Sequence, residues 1–197
     1  VADLAAGATV TIDCSYIPVL ADVGSWKNTA AVDSNQTPLL ASNQISVTVK
    51  APFCGPNPVD VSLAEGDVPT EGDDVILGTP GPDVINSLGG DDAICALGGD
   101  DTIDGGGGED LIVGMNGSDT ISGGYGADYL LGDLDFATGN PGADTIDGGG
   151  GSDYIDSWIG DDVIDGGSGN DEIHARGGED IVDGGDGNDF VRGYGGD

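Results

Sequence analysis

A nine-residue repeat restricts the fold of this chain more than any other feature of its sequence. From Pro69 onward the sequence divides into thirteen nonapeptides with one interruption, and each has Gly at position four, Asp at position six and Ile, Leu or Val at position eight. Self-similarity at a short fixed period is typical of solenoids, in which each repeat packs only on its neighbours. We number these repeats one to thirteen from Pro69.

The spacing predicts a turn followed by a short strand in every repeat. Glycines allow a tight turn that side chains would block, and the aliphatic residue at position eight then points inward. Two nonapeptides close a coil of 18 residues, so the position-six aspartates form two columns with neighbours about 4.8 Å apart. The odd column contains Asp74, Asp92, Asp110, Asp128, Asp153, Asp171 and Asp189, and the even column contains Asp83, Asp101, Asp119, Asp144, Asp162 and Asp180.

These two columns create an electrostatic problem that the chain's own cations cannot solve. The formal net charge is −33, and after residue 70 there are 30 acidic residues against only Arg176 and Arg192. Stacked carboxylates repel by roughly 3 kcal/mol per pair at an intermediate dielectric unless a cation lies between them. Carboxylate and carbonyl oxygens on a flexible turn suit Ca²⁺, which takes about six to eight oxygen ligands. The same charge makes nucleic acid and anionic membranes poor partners.

The motif Gly-Gly-x-Gly-x-Asp-x-aliphatic-x, which covers residues 69–197, resembles the nonapeptide of the RTX (repeats-in-toxin, hemolysin-type) family. The resemblance implies a right-handed parallel β-roll, with Ca²⁺ held between turns by the position-six aspartates and by nearby backbone carbonyls. It also implies roughly eleven calcium sites between turns and export in a largely unfolded state, usually by type I secretion. The glycines expected to supply carbonyls are those at position four: Gly72, Gly81, Gly90, Gly99, Gly108, Gly117, Gly126, Gly142, Gly151, Gly160, Gly169, Gly178 and Gly187.

Residues 1–50 predict a separate β module. The segments ATVTIDCSYI (8–17), WKNTAAV (26–32) and ISVTVKA (45–51) alternate apolar and polar residues, as half-buried strands do. They resemble the C-terminal half of the immunoglobulin-like repeats of bacterial surface proteins, which implies a partial β-sandwich completed from upstream of Val1 or by another chain. The proline-rich segment 51–68 is predicted to be a linker. The expected fold class is therefore all-β throughout.

An insertion interrupts the repeat once, at residues 132–138 with the sequence GDLDFAT. The nonapeptide phase and the alternation between odd and even repeats both resume after it, so we expect the winding to be unchanged. We expect a surface loop here. The alternative is an additional cation site that uses Asp133 and Asp135.

Cysteine and histidine are rare in this chain. A disulfide between Cys14 and Cys54 would leave Cys95 free, and inert buried thiols are the alternative. The only histidine, His174, lies at position nine of its repeat and is expected to be an exposed surface residue.

The two predicted sheets differ in the residues at positions seven and nine, which point outward. Even repeats carry mostly Thr, Ser and Asp there, whereas odd repeats carry a long apolar strip. Such a strip usually contacts something. We expect the N-terminal module, the linker or further chain to cover it. The alternative is self-association or a partner protein at Leu111, Val113, Tyr129, Leu131, Tyr154 and Phe190.

The sequence contains no motif that favours catalysis. We find no HExxH pair, GxSxG elbow or Gly-Lys-Ser/Thr phosphate loop, and no Ser/His/Asp set can be assembled around the one histidine. We expect a non-enzymatic, calcium-binding structural module of a secreted or cell-surface protein, which folds on calcium outside the cell and serves extension, adhesion or assembly. The alternatives are the calcium-binding secretion tail of an exported protease or lipase, and an extracellular filament subunit.

Overall fold

The computed structural model describes residues 59–133 and 142–193, all of them within one compact unit, Cys54–Asp197. The predicted immunoglobulin-like module lies outside the described residues. Within these ranges the chain forms sixteen strands and one short 3₁₀-helix, Leu63–Glu65, with no α-helix. None of the described segments is a helix long and apolar enough to cross a membrane.

All strand pairs are parallel, and they form two sheets. The strands are, in chain order, β1 (Val61–Ser62), β2 (Val75–Leu77), β3 (Val84–Asn86), β4 (Ala93–Cys95), β5 (Thr102–Asp104), β6 (Leu111–Val113), β7 (Thr120–Tyr125), β8 (Tyr129–Leu131), β9 (Thr145–Gly150), β10 (Tyr154–Asp156), β11 (Val163–Asp165), β12 (Ser168–Gly169), β13 (Glu172–Arg176), β14 (Ile181–Asp183), β15 (Asp186–Gly187) and β16 (Phe190–Gly193). The odd sheet has the order β1-β2-β4-β6-β8-β10-β13-β16. The even sheet has the order β14-β11-β9-β7-β5-β3, with β12 paired to β9 and to β15.

Neighbouring strands are one coil apart in sequence. Val75 pairs with Ala93, and Ala93 pairs with Leu111. Across the insertion, Tyr129 pairs with Tyr154 in the same register, so the extra residues leave the winding unchanged. The result is a parallel β-solenoid of about seven turns, which confirms the predicted all-β roll.

The core of the solenoid is a double ladder of position-eight residues. Each side chain from Ile76 to Ile173 in this ladder is at most 2% exposed, and complete burial of such a side chain stabilises by roughly 2–3 kcal/mol. The predicted inward position is confirmed for Ile76, Ile85, Ile94, Ile103, Ile112, Ile121, Leu130, Ile146, Ile155, Ile164 and Ile173. In the last described strand, Val191 is 49% exposed.

From repeat three onward, position two of the described repeats adopts a left-handed backbone on both edges of the roll. From repeat five onward the odd repeats place glycine there, as at Gly106 with φ 86° and Gly124 with φ 102°, whereas Leu88 of repeat three adopts φ 76°. Even repeats reach the same region with a side chain, as at Leu97 with φ 82° and Trp158 with φ 72°. Non-glycine residues in this region cost roughly 1 kcal/mol each. Repeats with glycine at position two and repeats with a side chain there therefore build the same turn.

The apolar strip on the outer face of the odd sheet is largely buried within the chain. Val113 and Leu131 are 4% and 8% exposed, whereas Phe190 is 48% exposed. Val59, from the segment predicted to be a linker, packs against this cluster, and the same segment supplies strand β1. The contrast with the even sheet is clear, because Thr102, Asp104, Thr120, Thr145, Asp147, Asp165 and Asp183 on its outer face are all exposed.

Two expectations about single residues are wrong. His174 is only 9% exposed, because its ring lies between those of Tyr154 and Phe190, with centroids 5.3 and 6.4 Å away. Its Nε2 lies 2.9 Å from a carboxylate oxygen of Glu172. Cys95 forms a disulfide whose partner lies outside the described residues. A bond at Cys95 uses one of the other two cysteines, so the Cys14–Cys54 pairing with a free Cys95 is excluded.

Gly108 and Gly107 allow a matched test of the turn. Gly108 has φ 142°, and a methyl group there would overlap the carbonyl group of Gly90 one coil earlier; a methyl on Gly107 meets no atom within 4 Å. We expect Gly108→Ala to reduce the free energy of unfolding by about 3 kcal/mol and Gly107→Ala to change it little. Thermal unfolding followed by circular dichroism measures both. Equal effects of the two substitutions would contradict this account of the turn.

Candidate metal centres

Each position-six aspartate after the first in its column joins two coils through a hydrogen bond. The backbone amide of Asp92 donates to Oδ1 of Asp110 at 2.8 Å, and the amide of Asp110 donates to Oδ1 of Asp128 at 2.9 Å. This bond recurs eleven times in the two columns, at 2.8 to 3.1 Å. The carboxylates are thus fixed immediately before their strands, one coil apart.

The second oxygen of most of these carboxylates has no hydrogen-bond partner, although it is buried. A buried, unpaired acceptor costs about 1–3 kcal/mol, and more when it is charged. The nine orphaned Oδ2 atoms belong to Asp92, Asp101, Asp110, Asp119, Asp128, Asp144, Asp153, Asp162 and Asp171. The Ser87 and Ser157 hydroxyls lie near enough to lower the pKa of Asp92 and Asp162, and the other seven carboxylates have no such side-chain donor. The set as a whole indicates that a cation completes the site.

The orphaned oxygens face backbone carbonyls beside the position-one glycines. A Cβ added to Gly105 would lie 2.6 Å from both Oδ2 of Asp110 and the carbonyl oxygen of Gly123. At Gly166 the corresponding distances are 2.9 Å to Oδ2 of Asp171 and 2.6 Å to the carbonyl oxygen of Gly184. Space that a side chain would fill is therefore lined by carboxylate and carbonyl oxygens. This donor set fits a hard cation with many oxygen ligands, as Ca²⁺ is.

The position-one glycines were not among the predicted site residues. A signal for them exists in the sequence, because position one holds only Gly, Ala or Ser in repeats two to thirteen. A larger side chain there would occupy the space between the carboxylate and the carbonyl of the next coil.

The position-four glycines, which were predicted, lie next to the other carboxylate oxygen. A Cβ on Gly169 would lie 3.2 Å from Oδ1 of Asp171, and one on Gly187 would lie 3.1 Å from Oδ1 of Asp189. Each such Cβ would also overlap the carbonyl of the position-four glycine one coil earlier, for example that of Gly151 beneath Gly169. The structure therefore brings the predicted aspartates and glycines together along each edge.

The first carboxylate of each column differs from the rest. The amide of Thr70 donates to Oδ2 of Asp74 at 2.6 Å, and its hydroxyl donates to Oδ1 at 3.2 Å. Thr79 makes the same two bonds to Asp83, at 2.6 and 3.1 Å. Both oxygens of these first aspartates thus have partners within the protein. This role was not predicted, although Thr stands at position two only in repeats one and two.

Side chains alone do not build a complete metal site. In residues 59–133 and 142–193 no three His, Cys, Asp or Glu side chains converge closely enough to hold a metal ion. A cation in either column would therefore take most of its ligands from backbone carbonyls.

By contrast, the buried carboxylate of Asp156, outside both columns, is neutralised by an ion pair with Arg176. The guanidinium of Arg176 also lies 3.7 Å over the ring of Trp158.

Burial raises the pKa of the nine column aspartates that carry an orphaned Oδ2 above the ordinary value of 3.8. Loss of solvation is the largest cause for Asp110, with pKa about 7, and for Asp144, with pKa about 8. In both, the amide bond from the preceding coil lowers the pKa and neighbouring carboxylates raise it. Burial likewise raises the pKa of Asp101 and Asp153 to about 6. Without a cation, the raised pKa of Asp144 keeps it mostly protonated near neutral pH and that of Asp110 leaves it partly protonated, whereas Asp101 and Asp153 are mostly ionised there.

These shifts predict opposite pH dependences with and without calcium. A folded-state pKa above the unfolded value stabilises the protonated fold, so stability of the metal-free roll is lost as pH rises from about 4 through the raised values of about 6 to 8. Circular dichroism of the metal-free chain should show more strand at pH 5 than at pH 8. In excess calcium the trend should reverse, because the ion binds ionised carboxylates. Equal strand content of the metal-free chain at both pH values would contradict the shifts.

Comparison with known proteins identifies the repeat. The family model for the RTX calcium-binding nonapeptide repeat matches four segments, residues 69–103, 104–136, 133–164 and 159–191. No curated protein and no solved structure matches the chain. Repeats of this kind bind Ca²⁺ between turns and are typical of secreted proteins. With matched segments that together span residues 69–191, the chain belongs to the RTX (hemolysin-type) calcium-binding repeat family.

Proposed function

We propose that residues 69–197 are a calcium-triggered folding module of an exported protein, which stays largely unfolded where calcium is scarce and becomes a rigid roll outside the cell. The observation that supports this most is the set of nine buried carboxylate oxygens without a partner. They recur once per coil on each edge, so any cation that pairs with them also joins consecutive coils.

The energetic balance of the metal-free roll favours dependence on the ion. After residue 70 the chain has 35 of its 39 glycines, each of which loses much backbone freedom on folding. In return, the inner ladder contributes one large aliphatic side chain per nonapeptide and the odd sheet adds a second buried cluster, while neighbouring carboxylates repel one another. Because a preformed site is absent from the unfolded chain, the free energy of calcium binding contributes directly to folding.

A structural role fits this arrangement. Each coil adds about 4.8 Å along the axis, so about seven coils extend roughly 30 Å. His174, the only histidine, is enclosed in an aromatic stack and bonded to Glu172, which supports a packing role for it. We therefore favour extension, adhesion or assembly as the task of the folded roll. Sites of this type suit extracellular calcium at about 10⁻³ M.

Calcium titration followed by circular dichroism tests the proposal. We expect strand signal to appear with calcium and to disappear after chelation. Asp110→Asn, which removes a column carboxylate, should raise the calcium midpoint severalfold. The matched control is Asp104→Asn, because Asp104 is exposed and its strand neighbour is already Asn86. An unchanged strand signal after chelation would contradict the proposal.

A further inference from the structure

We propose that Asp133, at the start of the insertion, supplies an extra carboxylate ligand to the calcium site beside Asp144 and makes it the tightest site of the roll. This inference rests on the calcium-dependent function proposed above. It concerns a residue outside the nonapeptide motif, since Asp133 belongs to none of the thirteen repeats.

Asp133 does not behave as a residue of an exposed loop. It is 4% exposed, and its Oδ2 is buried with no hydrogen-bond partner. Its carboxylate accepts a hydrogen bond from the backbone amide of Gly142, at the far side of the insertion. One carboxylate oxygen thus bonds to a residue that follows the insertion. The other, Oδ2, is buried without a hydrogen-bond partner, as are the nine orphaned Oδ2 atoms of the two columns.

The backbone at Gly132 fixes where this carboxylate starts. The amide of Gly132 donates to the carbonyl of Asp156 at 3.1 Å, and its carbonyl accepts from the amide of Met115 at 2.8 Å. A Cβ on Gly132 would contact Oδ2 of Asp144 and lie 2.8 Å from the carbonyl oxygen of Ser157. Gly132 therefore occupies the place that position-one glycines take in other coils, and Asp133 leaves the coil directly beside an oxygen-lined site.

Four buried carboxylates surround this point. The carboxylates that act electrostatically on one another here are those of Asp119, Asp133, Asp144 and Asp162. All four are at most 4% exposed, and each has an orphaned Oδ2. The ion pairs found among the described residues involve none of them.

A purely structural role for Asp133 leaves half of its carboxylate unexplained. Closing the insertion requires only the oxygen that accepts from Gly142, and the second oxygen would then remain a buried acceptor without a partner, which is unfavourable. A cation next to Oδ2 of Asp144 would pair with that oxygen as well. Because calcium affinity rises with the number of charged ligands, we expect this site to bind at least about tenfold more tightly than the others.

Equilibrium dialysis of the full chain against about 10 µM free calcium, followed by elemental analysis, tests this inference. The wild type should retain one ion under conditions in which the other sites are empty. Asp133→Asn, which keeps an acceptor for the Gly142 amide, should lose that ion and need at least about tenfold more calcium to regain it. Asp147→Asn, an exposed aspartate of the same coil, should retain it.

A second variant covers the case in which Asp133→Asn does not fold. Deletion of residues 133–139 joins Gly132 to Asn140 and restores an uninterrupted nonapeptide, GNPGADTID. It should fold in millimolar calcium and lose the tight ion. Retention of the tight ion by either variant, or its absence from the wild type, would overturn the role of Asp133. Failure of the wild type to bind calcium even at millimolar concentration would instead overturn the proposed function.

Discussion

The roll depends on a carboxylate whose two oxygens have different tasks. In each column, one oxygen accepts the amide of the preceding coil at 2.8 to 3.1 Å, and this bond sets the stacking of the backbone. The same bond holds the second oxygen inside the edge of the solenoid, where no donor of the described protein reaches it. From Asp92 to Asp171, stacking and the need for a cation therefore have a common cause.

The features that recur in every coil could be predicted from the sequence. The inward ladder through Ile112, the columns through Asp110 and the unchanged winding across the insertion follow from the nine-residue period, because every coil places these positions in the same surroundings. Residues that occur once could not be predicted in this way. The burial of His174 depends on Tyr154 and Phe190, one coil before and one coil after, and these lie 20 and 16 residues away in the sequence.

The same limit explains the missed features of the metal centres. Thr70 and Thr79 matter only because each lies beside the first carboxylate of a column. That carboxylate has no earlier aspartate in its column whose amide could donate to it, so the threonine takes that part. The buried environment of Asp133 arises from Gly132 and Gly142, which hold the two ends of the insertion in one coil. The positive φ at Trp158 could not be predicted from the glycines, because a residue with a side chain adopts this conformation there.

The insertion shows which parts of the nonapeptide can accept extra chain. Tyr129 and Tyr154 stack with ring centroids 4.5 Å apart although they are 25 residues apart in sequence, as closely as an ordinary coil would bring them. Additional residues between positions one and four cost only loop entropy, which grows slowly with length. One residue added between positions six and eight would turn the aliphatic side chain to the other face of the strand. Length in this protein is therefore adjustable at the turns and fixed in the strands.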